Sequence, residues 1–229
     1  KREMENYPDT MTNAERMKAY AMGQEVDRIP FTLGNAYSLV RLYGYTPGQY
    51  RRSLDIQFEL AEKVRAEFCG SGMAANTNLS LRGVGEALGS KAVYPENDTD
   101  YLTDFVLKDY SMLDELVFDP ETNPYLQEKM QRARDIRERM GGKCMVVTGG
   151  AGPMTTAISI RQPELFLRDM IRDKKNAHRL LDFAVQCTLK WVEYNCNEFG
   201  TIPVGLADPA TWANLISDRM FREFSKPHM

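Results

Sequence analysis

Three stretches of this chain carry side chains that could do chemistry together. They are Asn76-Thr77-Asn78 with Arg82 and Glu86 close behind, the glycine-rich run from Thr148 to Pro153, and Asp208-Pro209-Ala210-Thr211. The last two follow apolar runs that read as strands, and the first lies in an irregular extended piece. In α/β enzymes reactive groups collect at the carboxyl ends of strands, where several loops converge. Asp208 is the best single candidate. A carboxylate just past a strand end can bind a cation, orient a polar substrate, or move a proton once its pKa is raised. It can equally cap the next turn, which Pro209 favours, and the residues alone leave both readings open. Glu86, between Gly85 and Ala87 on a brief helix, faces either a cleft or solvent. Asn78 and Arg82 offer a clamp for an anion or a carbonyl, against the plainer roles of loop hydrogen bond and surface ion pair. Arg82 has the stronger chemistry, since a guanidinium grips a carboxylate or phosphate with two parallel bonds. Gly150 and Gly152 either admit a ligand close to the backbone or simply allow a tight turn.

Several chemistries are excluded. The 149–153 loop is neither a complete G-x-G-x-x-G nor a phosphate-binding loop, because Pro153 and Met154 follow Gly152 and no Gly-Lys-Ser/Thr is present. There is no G-x-S-x-G nucleophile elbow. His178 reads as a structural helix residue, and His228 is the only other histidine, so no metal cluster is expected within this stretch. Cys69, Cys144, Cys187 and Cys196 form no C-x-x-C pair and read as small hydrophobes, which fits a reducing, cytoplasmic setting. With 29 basic against 32 acidic side chains and a net charge of -3, there is no electrostatic footprint for nucleic acid. No apolar run reaches membrane-spanning length, and the start lacks the apolar stretch of a secretory signal.

The elements that must position these residues alternate between helix and strand. Thr12 and Glu15 form a capping box for a first helix whose apolar face would be Met11, Ala14, Met17 and Ala21. Residues 29–34 read as a buried strand. A helix over 47–68 carries the stripe Leu54, Phe58, Ala61, Val64 and Phe68. A short helix near 84–88 and an extended piece over 91–94 follow, then a turn-rich acidic region with helical pieces about 102–107. Asp119 to Pro124 signals helix entry, with Leu126, Met130, Ala133, Ile136 or Arg137, and Met140 along one side and Gly141-Gly142 as the stop. Residues 143–148 are the cleanest buried strand. Helices near 163–171 and 175–199 come next, the second with a seam of Ala177, Leu181, Ala184, Thr188 and Trp191. A strand over 201–206 follows, and Ser217 caps a last amphipathic segment. This order means α/β with a mainly parallel sheet, either doubly wound or closed into a barrel. Residues 1–10 read as a flexible leader and 11–229 as one domain without an internal repeat.

Met11-Thr12-Asn13-Ala14-Glu15-Arg16-Met17 with Gly23 to Pro30 resembles the opening of the uroporphyrinogen-decarboxylase-like (URO-D) superfamily. Gly85-Glu86-Ala87-Leu88-Gly89 resembles the Glu-Ala region of its methyltransferase branch, and Gly152-Pro153-Met154-Thr155 its Gly-Pro-Phe-Thr loop. Asp208-Pro209-Ala210-Thr211, then Leu215-Ile216-Ser217 and Phe221-Arg222-Glu223-Phe224, resemble its Asp-Pro-x-x-Ser and Ile-Ser-Pro-x-x-Phe-x-x-Phe segments. The resemblance implies a TIM-like (β/α)8 barrel, incomplete at the C-terminus. The branch it favours is the corrinoid-dependent methyltransferases, which move a methyl group between methylcobalamin and a small thiol or folate-like acceptor. The decarboxylases' arginine-rich segment is missing at Phe31 to Ala36, and their Phe-Ser-Asp-Ile-Leu aspartate has no counterpart near Phe68 to Asn76. A carboxy-lyase of the porphyrin type, or a truncated protein that binds or dimerises without turnover, is the alternative. On the resemblance, Glu86 and Asp208 would position the acceptor or handle a proton. Asn76, Asn78, Arg82, Gly150 and Gly152 would line the cleft for the corrinoid, brought by a corrinoid-binding partner. Zinc would be held only by ligands beyond Met229. A partial barrel with exposed edges would also favour a homodimer.

Overall fold

The computed structural model describes residues 9–31, 36–68, 73–142 and 144–229. The chain divides into two compact units, Lys1–Met73 and Ala74–Met229. Of the expected leader, residues 1–8 lie outside the described residues, as does Cys69.

In the first unit, helix α1 (Asn13–Ala21) starts with the expected capping box. Glu15 N–H donates to Thr12 Oγ1 at 3.3 Å, and Thr12 N–H donates to Glu15 Oε2 at 2.9 Å. Its buried face differs from the expected one. Ala14, Met17 and Ala21 are exposed, while Arg16 and Ala19 are buried. An arginine can be buried only if its charge and donors are matched, and Asp27 does this. Arg16 Nε and Nη2 reach the two carboxylate oxygens at 2.5 and 2.8 Å, and Nη2 also donates to Met11 O at 2.8 Å. Asp27 further accepts the backbone N–H groups of Thr10 and Met11, both at 2.9 Å.

The Arg16 side-chain hydrogen bond, with help from those two backbone donors, holds the Asp27 carboxyl far below the usual carboxylate range. Asp9 and Glu15 are lowered as well, by Arg28 and Thr12 respectively. Depressed folded-state values mean that this stabilisation is complete above the unfolded carboxylate range near ~4 and fades as pH falls through the lower folded values. Amide exchange at Thr10, Met11 and Arg16 is therefore expected to speed up on acidification, after correction for intrinsic rates. Asp27→Asn is expected to flatten that dependence and to raise exchange at neutral pH.

The strand expected over 29–34 is not found at residues 29–31, where Ile29 and Phe31 are 77% and 52% exposed; residues 32–34 lie outside the described residues. A 3-10 helix spans Ala36–Tyr43. The single helix expected over 47–68 is two, α2 (Pro47–Arg52) and α3 (Leu54–Phe68). Ser53 adopts extended backbone between them, and its hydroxyl accepts Ile56 N–H at 3.3 Å, a cap that starts α3. Gln57, Leu60, Ala61 and Val64 form the buried seam of α3.

The second unit holds β1 (Ala75–Asn76), α4 (Gly83–Leu88), the strand pair β2 (Lys91–Val93) and β3 (Tyr101–Asp104), α5 (Pro124–Arg139), β4 (Val146–Ala151), α6 (Pro153–Ile160), α7 (Pro163–Arg172), α8 (Lys174–Phe199) and β5 (Val204–Ala207). Strands β1, β4 and β5 form one parallel sheet in that order, with Ala75 opposite Val146 and Thr148 opposite Val204. Sequential order without a reversal is what a barrel wall requires, whereas a doubly wound sheet reverses at its middle. The architecture is α/β with a central sheet consistent with an open, TIM-like barrel.

Three elements depart from the expected pattern. Residues 101–104 are strand, not helix, because Tyr101 to Asp104 pairs antiparallel with β2. Strand β4 is shifted toward its C-terminus and takes in Gly149 and Gly150, which are sheet residues and not a turn. Helix α6 follows at once, with Pro153 at its first position, where a missing N–H costs nothing. The β-branched residues Thr155, Thr156 and Ile158 hide this helix from propensity. The seams of the long helices largely match expectation: Leu126, Met130, Ala133 and Ile136 of α5, and Ala177, Leu181, Ala184 and Trp191 of α8, are buried, whereas Met140 is exposed and Thr188 half-buried. Among the described residues no helix is long and apolar enough to cross a membrane.

Candidate active site

The geometry divides the sequence-predicted residues into two groups, set around α6. One group is built on α4. Arg82 is its N-cap residue and Glu86 stands four residues on, so both side chains lie on one helix face. Two links join this face to the β2–β3 hairpin: Tyr94 donates its hydroxyl to Glu86 Oε2, and Arg82 Nη2 pairs with Asp100. From α5 come Tyr125 and Lys129, again four residues apart, with the ammonium 5.0 Å from the Tyr125 ring centre.

Local packing explains why these groups meet. Gly85 allows α4 to lie directly on α6, since an added Cβ would fall 2.1 Å from Ser159 O. Gly85 N–H donates to Ser159 Oγ at 3.1 Å, and Ser90 Oγ donates to Ser159 O at 2.9 Å while accepting Val106 N–H at 3.0 Å. Helix α5 is tied in through Asn123, whose amide donates to Ala87 O at 2.7 Å. The base of the hairpin and the start of α4 are thereby fixed to one serine.

The electrostatics are those of a partly dry cluster. Burial pushes the Tyr125 phenol well above its ordinary range, and the nearby Glu86 charge adds to the effect. Burial and the Glu86 hydrogen bond raise the Tyr94 phenol. Burial lowers the Lys129 ammonium, opposed by the Glu86 charge. Glu86 Oε1 and Arg82 Nε are buried without a hydrogen-bond partner among the described residues. Unpaired buried polar atoms of this kind are uncommon and concentrate where a ligand, a water or a reacting group completes the site. The cluster therefore offers a carboxylate steadied on one oxygen, a partly desolvated ammonium, and two phenols that stay protonated. Such a set can deliver or accept a proton beside a bound anion.

The second group surrounds Gly152 and Asp208. Asp208 Oδ1 accepts Thr155 N–H at 2.7 Å and Thr155 Oγ1–H at 2.6 Å, and Oδ2 accepts Met154 N–H at 3.2 Å. The carboxylate thus caps the start of α6, where a negative charge meets the helix dipole. Its capping role is real but serves a helix 53 residues upstream, not the turn that follows it. Gly152 makes room for this, because a Cβ there would come within 2.5 Å of the Asp208 side chain. Gly150 lies against Leu79. A cavity of about 410 Å³ adjoins this group, walled by Ala151, Gly152, Leu206, Asp208, His228 and Met229.

Asn76 and Asn78 belong to neither group. Both are exposed on the segment leaving β1, and the Asn76 side-chain oxygen accepts Asn78 N–H at 2.7 Å, a local turn. Glu86 and Asp208 are not partners: Asp208 holds the amino end of α6, and the helix bearing Glu86 packs on Ser159 near its other end. Cys187 is buried, and burial pushes its thiol up to about 12, in keeping with a packing role. Tyr94, Asp100, Tyr125 and Lys129 escaped sequence reasoning. The four-residue spacings Arg82/Glu86 and Tyr125/Lys129 were the available signal, but nothing in the sequence announces that their helices touch.

The sequence profile of the family described as uroporphyrinogen decarboxylase (URO-D) matches residues 12–229. No curated protein matches the chain. Among solved structures, a methyltransferase from Methanosarcina mazei is similar in fold, with a TM-score of 0.68 at 21% sequence identity. The likeness covers 95% of this chain and 65% of that one, so the present chain spans less than two thirds of the methyltransferase's length.

Proposed function

This chain belongs to the uroporphyrinogen decarboxylase family, and from that premise we propose that its sheet is part of a (β/α)8 barrel whose cleft decarboxylates a small carboxylated substrate. The observation that carries this reading is the family match over residues 12–229, which takes in the whole Glu86 cluster. Decarboxylation breaks the bond between the carboxylate carbon and its neighbour, and carbon dioxide leaves. The electron pair stays on that neighbour, which must then take up a proton. Glu86, steadied by Tyr94, is the group suited to handle that proton, and Lys129 is the cation suited to meet a substrate carboxylate. Asp208 is left as a cap and wall residue, since three hydrogen bonds already engage its oxygens. A porphyrinogen with its many carboxylates is a poor fit, because Phe31 to Ala36 contains no arginine. A substrate with one or two carboxylates suits the charges present.

Methyl transfer from a corrinoid is the second reading, and the fold likeness to the Methanosarcina mazei methyltransferase favours it. In that reading a partner protein would bring the corrinoid to the exposed Asn76 and Asn78, and a thiol or folate-like acceptor would occupy the cleft. Among the described residues no three His, Cys, Asp or Glu side chains are grouped so as to hold a metal ion.

The two readings part experimentally. With the full chain, carbon dioxide release from mono- and dicarboxylates is expected, and Glu86→Gln is expected to lower kcat about 10²–10⁴-fold with KM little changed. Circular dichroism of the variant should match that of the parent. Demethylation of methylcobalamin in the presence of a thiol, with no carbon dioxide from any carboxylate, would transfer the assignment to the second reading.

A further inference from the structure

Helix α8 carries a histidine that the site described above does not use. His178 Nδ1 lies 3.0 Å from His228 Nε2, and its ring stacks on Phe224 with centres 4.7 Å apart. The His228 side chain is only 9% exposed, and its Nδ1 is 3.1 Å from Asp182 Oδ1, also on α8. That carboxylate fixes a proton on His228 Nδ1, because the hydrogen bond on one ring nitrogen decides the state of the other. His228 Nε2 is then an acceptor, and His178 Nδ1–H donates to it. Of the other charges on the packed elements, Lys174 pairs with Glu223 at 2.5 Å and Arg222 with Asp218 at 2.8 Å, while Arg219 and Lys226 add two cations beside the histidines. Lys174 holds the Glu223 carboxyl below its usual range, with Arg219 and His178 contributing, so this background stays fixed in mildly acidic solution.

We propose that His178 and His228 form a two-proton latch that holds the segment Phe221–His228 against α8 and releases it when both rings become charged. A first proton is well placed on the free nitrogen of His178. There it leaves the Nδ1–H···Nε2 bond intact, strengthens it as a charge-assisted bond, and lies against the Phe224 ring face. A second proton has only His228 Nε2 to go to. It turns two N–H groups toward each other and sets two cations side by side, with only the exposed Asp182 in partial compensation. Burial lowers the His228 imidazole below its ordinary value, Asp182 opposing and His178 adding to the shift. The latch is therefore closed at neutral pH and opens on the acid side of ordinary histidine titration. His228 also walls the cavity beside Gly152 and Asp208, so its release removes one wall of that cavity.

Hydrogen-exchange protection, corrected for intrinsic rates, tests this on the full chain between about pH 8 and pH 5. Amides of Phe221 to His228 are expected to lose about tenfold in protection or more, while those of Leu126 to Ile136 in α5 change by less than about twofold. His228→Gln retains a carbonyl acceptor for His178 but cannot take the second proton, and its protection is expected to stay flat across the range. Unchanged protection in the parent, or the same loss in His228→Gln, would overturn the latch. Should the variant be open at both pH values, nitrogen-resolved titration of the two rings in the parent decides the matter. The pair is expected to take up its two protons in two separate steps, and independent, identical titrations would refute the proposal.

Discussion

Gly149→Ala is expected to leave no folded protein. Gly149 sits in the middle of β4 with φ +142°, a backbone state that L side chains rarely adopt. A Cβ there would fall 1.8 Å from Gly205 O and within 3 Å of two further backbone atoms of β5. Backbone atoms cannot rotate aside as a side chain can, so either the β4–β5 register or the strand itself must give way. The cost is expected to exceed about 5 kcal/mol, comparable to the whole stability of many domains. Gly205→Ala is the control. It lies opposite Gly149, yet nothing stands within 4 Å of its added Cβ, and it should cost about 1 kcal/mol or less. Soluble yield and far-ultraviolet circular dichroism of the two variants provide the check. A Gly149→Ala protein with a parent-like Tm would mean that the register of these two strands is wrong.

Asp169→Ala is expected to destabilise the protein by about 3–5 kcal/mol, because it strands a buried cation. Arg161 and Asp169 are 7% and 8% exposed, with Arg161 Nε 2.5 Å from Asp169 Oδ2. Tyr110 O–H donates to the same carboxylate oxygen at 3.2 Å, and its ring lies 4.7 Å from the guanidinium. Arg161 also donates to Lys108 O at 3.0 Å, which fastens the segment after β3 to α7. Removing the carboxylate leaves a largely buried guanidinium without its counter-charge and a phenol without its acceptor. The ion pair Arg134–Glu198, at the same 2.5 Å but 37% and 30% exposed, provides the contrast. Glu198→Ala should cost no more than about 1 kcal/mol. Urea unfolding midpoints of the two variants measure the difference, and equal losses would contradict the assigned burial.

What the sequence disclosed about the fold was whatever depended on local chemistry. The caps at Thr12 and Ser217, the helix entry at Asp119 to Pro124, the stop at Gly141-Gly142 and most of the seams of α5 and α8 are set by neighbouring residues, and they appear where expected. Features decided by distant partners were hidden. Arg16 lies off the apolar face expected for α1 and is buried because Asp27 matches its charge. Residues 101–104 looked helical until β2 paired with them, and α6 was obscured by its β-branched residues. The same division runs through the candidate site. Arg82, Glu86, Gly152 and Asp208 stood out by type and position. The role of Asp208 came from contacts with Met154 and Thr155, and that of Gly152 from the Asp208 side chain, partners more than fifty residues apart in sequence. Tyr94 carried no local mark, and Lys129 only its four-residue spacing from Tyr125.

The packing of Trp191 has a practical consequence. Its indole is fully buried and donates to Thr77 O at 3.0 Å, so its surroundings report whether α8 is docked on the segment leaving β1. Trp212, the other tryptophan, is 67% exposed. An aqueous quencher such as iodide should silence the emission of Trp212 while sparing that of Trp191. The unquenched, blue-shifted fraction then follows docking of α8 in real time, without any label introduced into the chain.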